Sequence, residues 1–101
     1  MPKEKAIYVI VRKDLSKSQQ AVQGGHALAQ LLLDNQTTWT NGTLVYLNVS
    51  NRNNLEEIYK KLISDDEVVA KFEEPDMFDE MTALAVLSES LISKFPDLKL
   101  M

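Results

Sequence analysis

A chain of 101 residues, 45% hydrophobic and 26% charged, has the size and make-up of one globular domain; two independent cores would be hard to fill. The absence of cysteine excludes disulfide scaffolds and thiolate zinc sites, and no apolar run approaches the ~20 residues that span a bilayer. A net charge of −4 argues against a generic nucleic-acid binder. The charge is unevenly spread, however. Lys3, Lys5, Arg12, Lys13 and Lys17 face only Glu4 and Asp14 near the start, whereas residues 62–101 carry ten acids against Lys71, Lys94 and Lys99. A basic patch on an acidic body binds phosphate locally; the plainer reading is two differently charged solvated faces.

The opening MPKEKAIYVIVRKD pairs basic residues with an apolar run of only Ala6 to Val11, which is too short for a signal-peptide core. A cytoplasmic protein is expected. AIYVIV itself is β-branched and aromatic without polar alternation, the pattern of a central strand covered on both faces. Ser16 with Gln19 fits a capping box, so a first helix starts near Lys17 and runs to about Leu33, with Ala21, Gly25, Leu28, Ala29 and Leu32 as its expected inner face. Gly24 and Gly25 each cost roughly 1 kcal/mol inside a helix, and close packing against a sheet is the simplest compensation. Asp34 to Thr40 is polar and ends the helix, with Trp39 as an anchor of the loop.

Asn41-Gly42 signals a turn into a second strand, Thr43 to Val49. Asn51 to Asn54 offers a cap for a second helix whose inner face is Leu55, Ile58, Tyr59, Leu62 and Ile63, ending near Ser64. Val68 to Phe72 reads as a short third strand near an edge, Glu73 to Glu80 as an acidic loop, and Thr82 to Leu87 as a buried fourth strand. Ser90 to Leu100 holds a short helix, limited by Pro96. The expected fold is α/β in the order β-α-β-α-β-β-α: one domain over residues 1–101, with a four-stranded mixed sheet flanked by helices on both faces.

One stretch departs from what a core helix needs. Arg12 to Gln30 crowds Gln19, Gln20, Gln23, two glycines and the only histidine, His26, together, and such local inconsistency is where functional sites are sought. One histidine and no cysteine leave little for a metal. No serine sits in a nucleophile elbow, and Gly24-Gly25 lacks the further glycines of a phosphate loop. Taken alone, His26 reads as a hydrogen-bonded helix residue and Asp76 and Asp79 as solvated loop acids.

The segment YVIVRKDLSKSQQAVQGGHALA resembles the opening of the archaeal and eukaryotic type (type II) of peptidyl-tRNA hydrolase. Arg12, Asp14, Leu15, Ala21, Gln23, His26 and Ala27 match its R-x-D-L and A-A-Q-x-A-H-A segments in order and spacing, and Thr82-Ala83-Leu84-Ala85-Val86 is similar to its later T-x-L-A-I segment. The resemblance implies hydrolysis of the ester joining a peptide, or an amino acid, to the terminal ribose of tRNA, without a cofactor or metal. It implies tRNA as the partner, no membrane association, and a possible homodimer with Phe78, Phe95 or the Leu98–Met101 tail at its interface. Asp76 would activate or orient water, and Thr82 would hold the ester or the water. Gln23 and His26 would line the site, and Lys17, Lys13 and Arg12 would meet phosphate. The family's helix-start lysine falls at Gln19, an uncharged donor, and its glycines at Ser16 and Ser18; Lys17 aligns with a second lysine of the family. The alternative is a non-catalytic member of the same fold that binds a tRNA end, a small ligand or a protein partner.

Overall fold

The computed structural model describes residues 5–37, 39–89 and 91–101. Lys3 and Glu4 of the charged N-terminal group, Thr38 of the polar segment after the first helix, and Ser90 at the head of the last segment lie outside the described residues. Strand β1 (Ala6–Arg12) holds the centre of the sheet. It pairs in parallel with β2 (Leu44–Val49) and antiparallel with β4 (Glu80–Ser88). Outside β4 runs β3 (Val68–Glu74), antiparallel to it and therefore parallel to β1. A two-residue strand, β5 (Lys99–Leu100), pairs antiparallel with β2 at the opposite edge. The order is β3-β4-β1-β2-β5.

The sheet thus has five strands where four were expected. Two residues carry no readable periodicity, and the fifth strand was hidden in a segment read only for its helix. That helix is present as one turn, α3 (Leu91–Lys94), tied by Lys94 to Asp65 and Glu67 at 3.3 and 3.4 Å. The third strand lies at an edge as expected but continues to Glu74, so the connection to β4 is only residues 75–79 and begins with a 3₁₀ turn, Pro75–Met77.

Helix α1 (Lys17–Asp34) lies on one face of the sheet. Its Ala27 and Leu31 pack on Ile7, Val9, Val11, Ala70, Ala83 and Ala85. Helix α2 (Arg52–Ser64) and Leu91 of α3 lie on the other, where Leu55, Ile58 and Leu62 meet Ile10, Leu47, Leu84 and Val86. Helices on both faces explain why β1 needs no polar alternation. The capping box of α1 is formed as read: Ser16 Oγ accepts from the Gln19 amide and Gln19 Oε1 accepts from the Ser16 amide, each at 3.2 Å. Asn51 caps α2 through the Asn54 amide at 3.0 Å. Trp39 donates to the Thr43 carbonyl and packs against the α1-side core.

The inner face of α1 is not the expected one. Gln20, Gln23, Gly24, Ala27 and Leu31 are buried, whereas Ala21, Gly25, Ala29 and Leu32 are exposed and Leu28 is half-buried. The helix is rotated toward its amides because both find partners inside, and because Gly24 sits where no side chain fits. A Cβ there would lie 2.7 Å from the Tyr46 ring and 2.9 Å from Val9 Cγ1. A Cβ on Gly25 would meet nothing within 4 Å.

The two glycines should therefore part on substitution. Gly24→Ala should lose about 1–3 kcal/mol, since buried Val9 has nowhere to move, whereas Gly25→Ala should gain about 1 kcal/mol of helix propensity. Urea unfolding midpoints of the two variants check this directly.

Candidate functional site

Most of the candidate site residues lie toward the carboxyl end of the parallel strands, where α1 begins and the β3–β4 hairpin projects. Arg12 is the last residue of β1, and only 6% of it is exposed. Its Nε and Nη2 donate to the two carboxylate oxygens of Asp14 at 2.9 and 2.8 Å. Its Nη1 donates to Glu80 Oε1 at 3.1 Å and to the Met81 carbonyl at 3.3 Å. Glu80 also receives Arg52 of α2 at 3.3 Å. The guanidinium expected to meet phosphate is thus committed inside the fold. Its hydrogen bonds hold the Asp14 carboxyl below the ordinary carboxylate range against the opposing effect of burial, and Asp14 in turn raises Arg12 above its usual value. Glu80 had no sequence signal beyond membership of an acidic run.

Thr82 and Gln23 come together from 59 residues apart: the Thr82 hydroxyl donates to Gln23 Oε1 at 2.7 Å. A bulge brings this about. Phe72 stands opposite Ala83 but Glu73 stands opposite Met81, which leaves Thr82 as an extra residue on β4. Leu84 and Val86 face α2, and strict alternation would send Thr82 with them; the extra residue turns it toward α1 and gives Met81 to the α2-side core instead. Thr82 is fully buried, so the hydroxyl expected to hold the ester or the water reaches Gln23 rather than solvent. Gln20, also buried, donates from Nε2 to the Leu15 carbonyl at 2.8 Å and ties the first turn of α1 to the loop before it.

The remaining candidate site residues are at the surface. His26 stacks on Phe72 of β3, ring centroids 4.5 Å apart and planes at 13°. Phe72 is a site neighbour that strand periodicity placed on a face without assigning it a partner. Lys17 opens α1, exposed. Gln19 spends its Oε1 in the cap, and among the described residues its Nε2 has no partner. Asp76 lies exposed in the 3₁₀ turn of the hairpin.

The chain leaves β1 into α1 on one face and leaves the adjacent β2 into α2 on the other, and such a divergence opens a crevice at the strand ends. Two cavities occupy it. One of ≈ 540 Å³ is bordered by Lys13, Asn48, Ser50, Asn54, Phe95 and Lys99. One of ≈ 560 Å³ is lined by Lys13, Leu15, Lys17, Gln20, Asn48 and Met101. Lys13 and Lys17 are the candidate site residues in this crevice, with Leu15 beside them; Asp76, Thr82, Gln23 and His26 line neither cavity. Among the described residues no three His, Cys, Asp or Glu side chains gather to hold a metal ion, and no helix is long and apolar enough to cross a membrane.

No family model and no curated protein matches the chain. A solved structure of a protein of unknown function from Agrobacterium tumefaciens is similar over 97% of this chain and 98% of its own, with a TM-score of 0.75 and 12% sequence identity. At that identity the likeness is one of fold alone.

Two measurements follow from this geometry. Thr82→Val should lose about 1–3 kcal/mol by leaving the Gln23 oxygen buried without a donor, and Thr82→Val with Gln23→Leu should recover most of it. Urea denaturation of the single and double variants tests the pair. Because the folded-state pKa of Asp14 is depressed by Arg12, its contribution is complete above the unfolded value of about 3.9 and fades as pH falls below it. The urea midpoint of the native chain should drop through that window more steeply than that of Asp14→Asn.

Proposed function

We propose that this chain hydrolyses the ester joining a peptide, or an amino acid, to the terminal ribose of tRNA, on the surface where α1 begins and the β3–β4 hairpin projects. The observation that supports this reading is the Gln23–Thr82 hydrogen bond. It joins the two segments that carry the likeness to type II peptidyl-tRNA hydrolases into one buried unit, with His26 and Phe72 stacked beside it.

In this reading Asp76 orients or deprotonates the attacking water. Lys17 and the Gln19 Nε2 amide stand at the positive end of α1 and donate to the oxyanion of the tetrahedral intermediate or to the terminal phosphate. Lys13 lies beside them in the crevice and meets backbone phosphate, which fixes the tRNA end without reading its sequence. Thr82 and Gln23 act as positioning residues: they fix α1 against the hairpin, and Arg12 fixes the end of β1. His26 gives the acceptor end a flat surface together with Phe72. The substrate is peptidyl-tRNA or aminoacyl-tRNA, the location cytoplasmic, and neither metal nor cofactor enters the chemistry.

A second reading, binding of the tRNA end without turnover, is favoured by Gln19. It is neutral where the resembled family carries lysine, and its carbonyl is consumed by the helix cap.

Release of labelled peptide from peptidyl-tRNA separates the two. Hydrolysis should fall by about 10²–10⁴ in Asp76→Ala, the range of a lost general base. It should fall as well in Lys17→Ala, and rise in Gln19→Lys. Absence of turnover in the native chain together with salt-sensitive retention of tRNA would establish the second reading; retention that ignores salt would contradict the lysine contacts.

A further inference from the structure

The two edges of the sheet are finished in opposite ways. On one side β3 carries Lys71, Glu73 and Glu74, and its pairing with β4 is interrupted between Phe72 and Glu73. Charges and a bulge of this kind keep an edge strand from pairing with a foreign chain. On the other side β2 reads Leu-Val-Tyr-Leu-Asn-Val, without charge or proline, in unbroken register with β1 from Ile7 to Arg12. That is the make-up of an interior strand. Among the described residues its outer neighbour is β5 alone. By alternation the outward backbone groups of β2 belong to Leu44, Tyr46 and Asn48. Asn48 stands opposite Lys99, and the Tyr46 carbonyl accepts from the Met101 amide at 3.0 Å. Leu44 faces no strand on that side among the described residues, and 44% of it is exposed.

The cover that β5 gives is light. Lys99, Leu100 and Met101 are all exposed, so β5 contributes backbone pairing and little burial. No side chain of residues 97–101 forms an ion pair among the described residues. The preceding turn is held more firmly, by buried Leu91, by Lys94 on Asp65 and Glu67, and by Phe95 and Leu98 against the α2-side core. A short edge element so placed opens locally without unfolding the domain. Because β5 is antiparallel to β2, the residues before it lie toward the carboxyl end of β2, and Asp97 borders the same cavity as Lys13. Lys13 and Lys17 also border the cavity beside Met101, and neither is in an ion pair among the described residues. A strand in the place of β5 therefore brings the residues that precede it past two uncommitted lysines.

We propose that β2 is an acceptor for an extended segment of a partner protein, which displaces β5 and joins the sheet antiparallel to β2. Its backbone meets Leu44, Tyr46 and Asn48, and acidic residues just before its paired stretch meet Lys13 and Lys17. Main-chain hydrogen bonds carry the affinity of such strand addition, while the acid–lysine pairs set its direction and register. β5 is then the occupant in cis that covers the edge while the partner is absent, and it lowers the apparent affinity by the fraction of time the edge is open. A second copy of the chain fits less well. Antiparallel pairing of β2 with β2 brings residues 40–44 of the other copy toward Lys13, and these hold no acid. The acceptor role is independent of tRNA hydrolysis, and a chain inactive on peptidyl-tRNA leaves it in place.

NMR titration of the full chain with an acetylated, amidated peptide, two aspartates followed by alternating valine and threonine, tests the proposal. Saturable binding is expected, with shifts at the Leu44, Tyr46 and Asn48 amides and faster hydrogen exchange at the Met101 amide. The same peptide methylated on every backbone nitrogen of its paired stretch should not bind. Two lysines in place of the aspartates should weaken binding by about tenfold or more, and Lys13→Glu with Lys17→Glu should reverse that preference. Met101→Pro removes the donor to the Tyr46 carbonyl; it should tighten peptide binding by about threefold or more and leave the melting temperature unchanged. No saturable binding to the Met101→Pro chain, or equal binding of the methylated peptide, overturns the proposal. So does a Met101→Pro chain that dimerises in sedimentation velocity and loses the dimer on Leu44→Lys, since a second copy is then the occupant.

Discussion

The end of the sheet that carries every candidate residue is organised by one buried cation. Arg12 terminates the central strand and spends its fork of donors on Asp14 in the loop to α1, on Glu80 at the start of β4, and on the Met81 carbonyl. Through Glu80 it is linked to Arg52 at the start of α2. Four segments are thereby tied in one arrangement by a charge that is almost wholly buried. The same enclosure removes Arg12 from the pool of cations available to a ligand, which leaves Lys13 and Lys17 as the exposed positive charges of the loop and first turn.

What the sequence discloses and what it hides divide along a physical line. Features set by neighbours in the chain were readable. The Ser16–Gln19 box, the Asn51 cap, the bend at Asn41, and the Leu55, Ile58 and Leu62 face of α2 all depend on residues within one or two turns of each other; Ile63, expected on that face, is 49% exposed instead. The inner face of α1 was not readable from hydrophobicity. Two glutamines have partners on other segments, Leu15 and Thr82, and a glycine yields to Tyr46 from β2. Counting apolar side chains turned the helix toward Leu32, which stands 40% exposed. The last strand escaped notice because its support is a neighbour's edge rather than a pattern of its own.

The crowding of polar residues after β1 has a divided explanation. Gln20 and Gln23 serve the interior and the Gln19 carbonyl serves the helix cap, so much of the polarity that made the stretch conspicuous is spent on folding. What faces outward is smaller: Lys17, the Gln19 amide, and His26 on its aromatic support, with Asp76 across on the hairpin. A sequence resemblance can thus rest on residues that mostly build the scaffold, with few of them left at the surface.

The extra residue at Thr82 makes the hairpin a structure counted in residues. Replacing the threonine alters one side chain in an otherwise unchanged strand. Deleting it would remove the bulge, keep Met81 on the α2-side face in the place next to Ala83, take away the hydroxyl that Gln23 accepts from, and move Glu80 one position along β1. The Arg12 cluster would then lose the spacing of its acceptors although no charged residue had changed. Strand length and ion pairing in this domain are one variable, so the β3–β4 hairpin accommodates changes of residue type far more readily than changes of residue number.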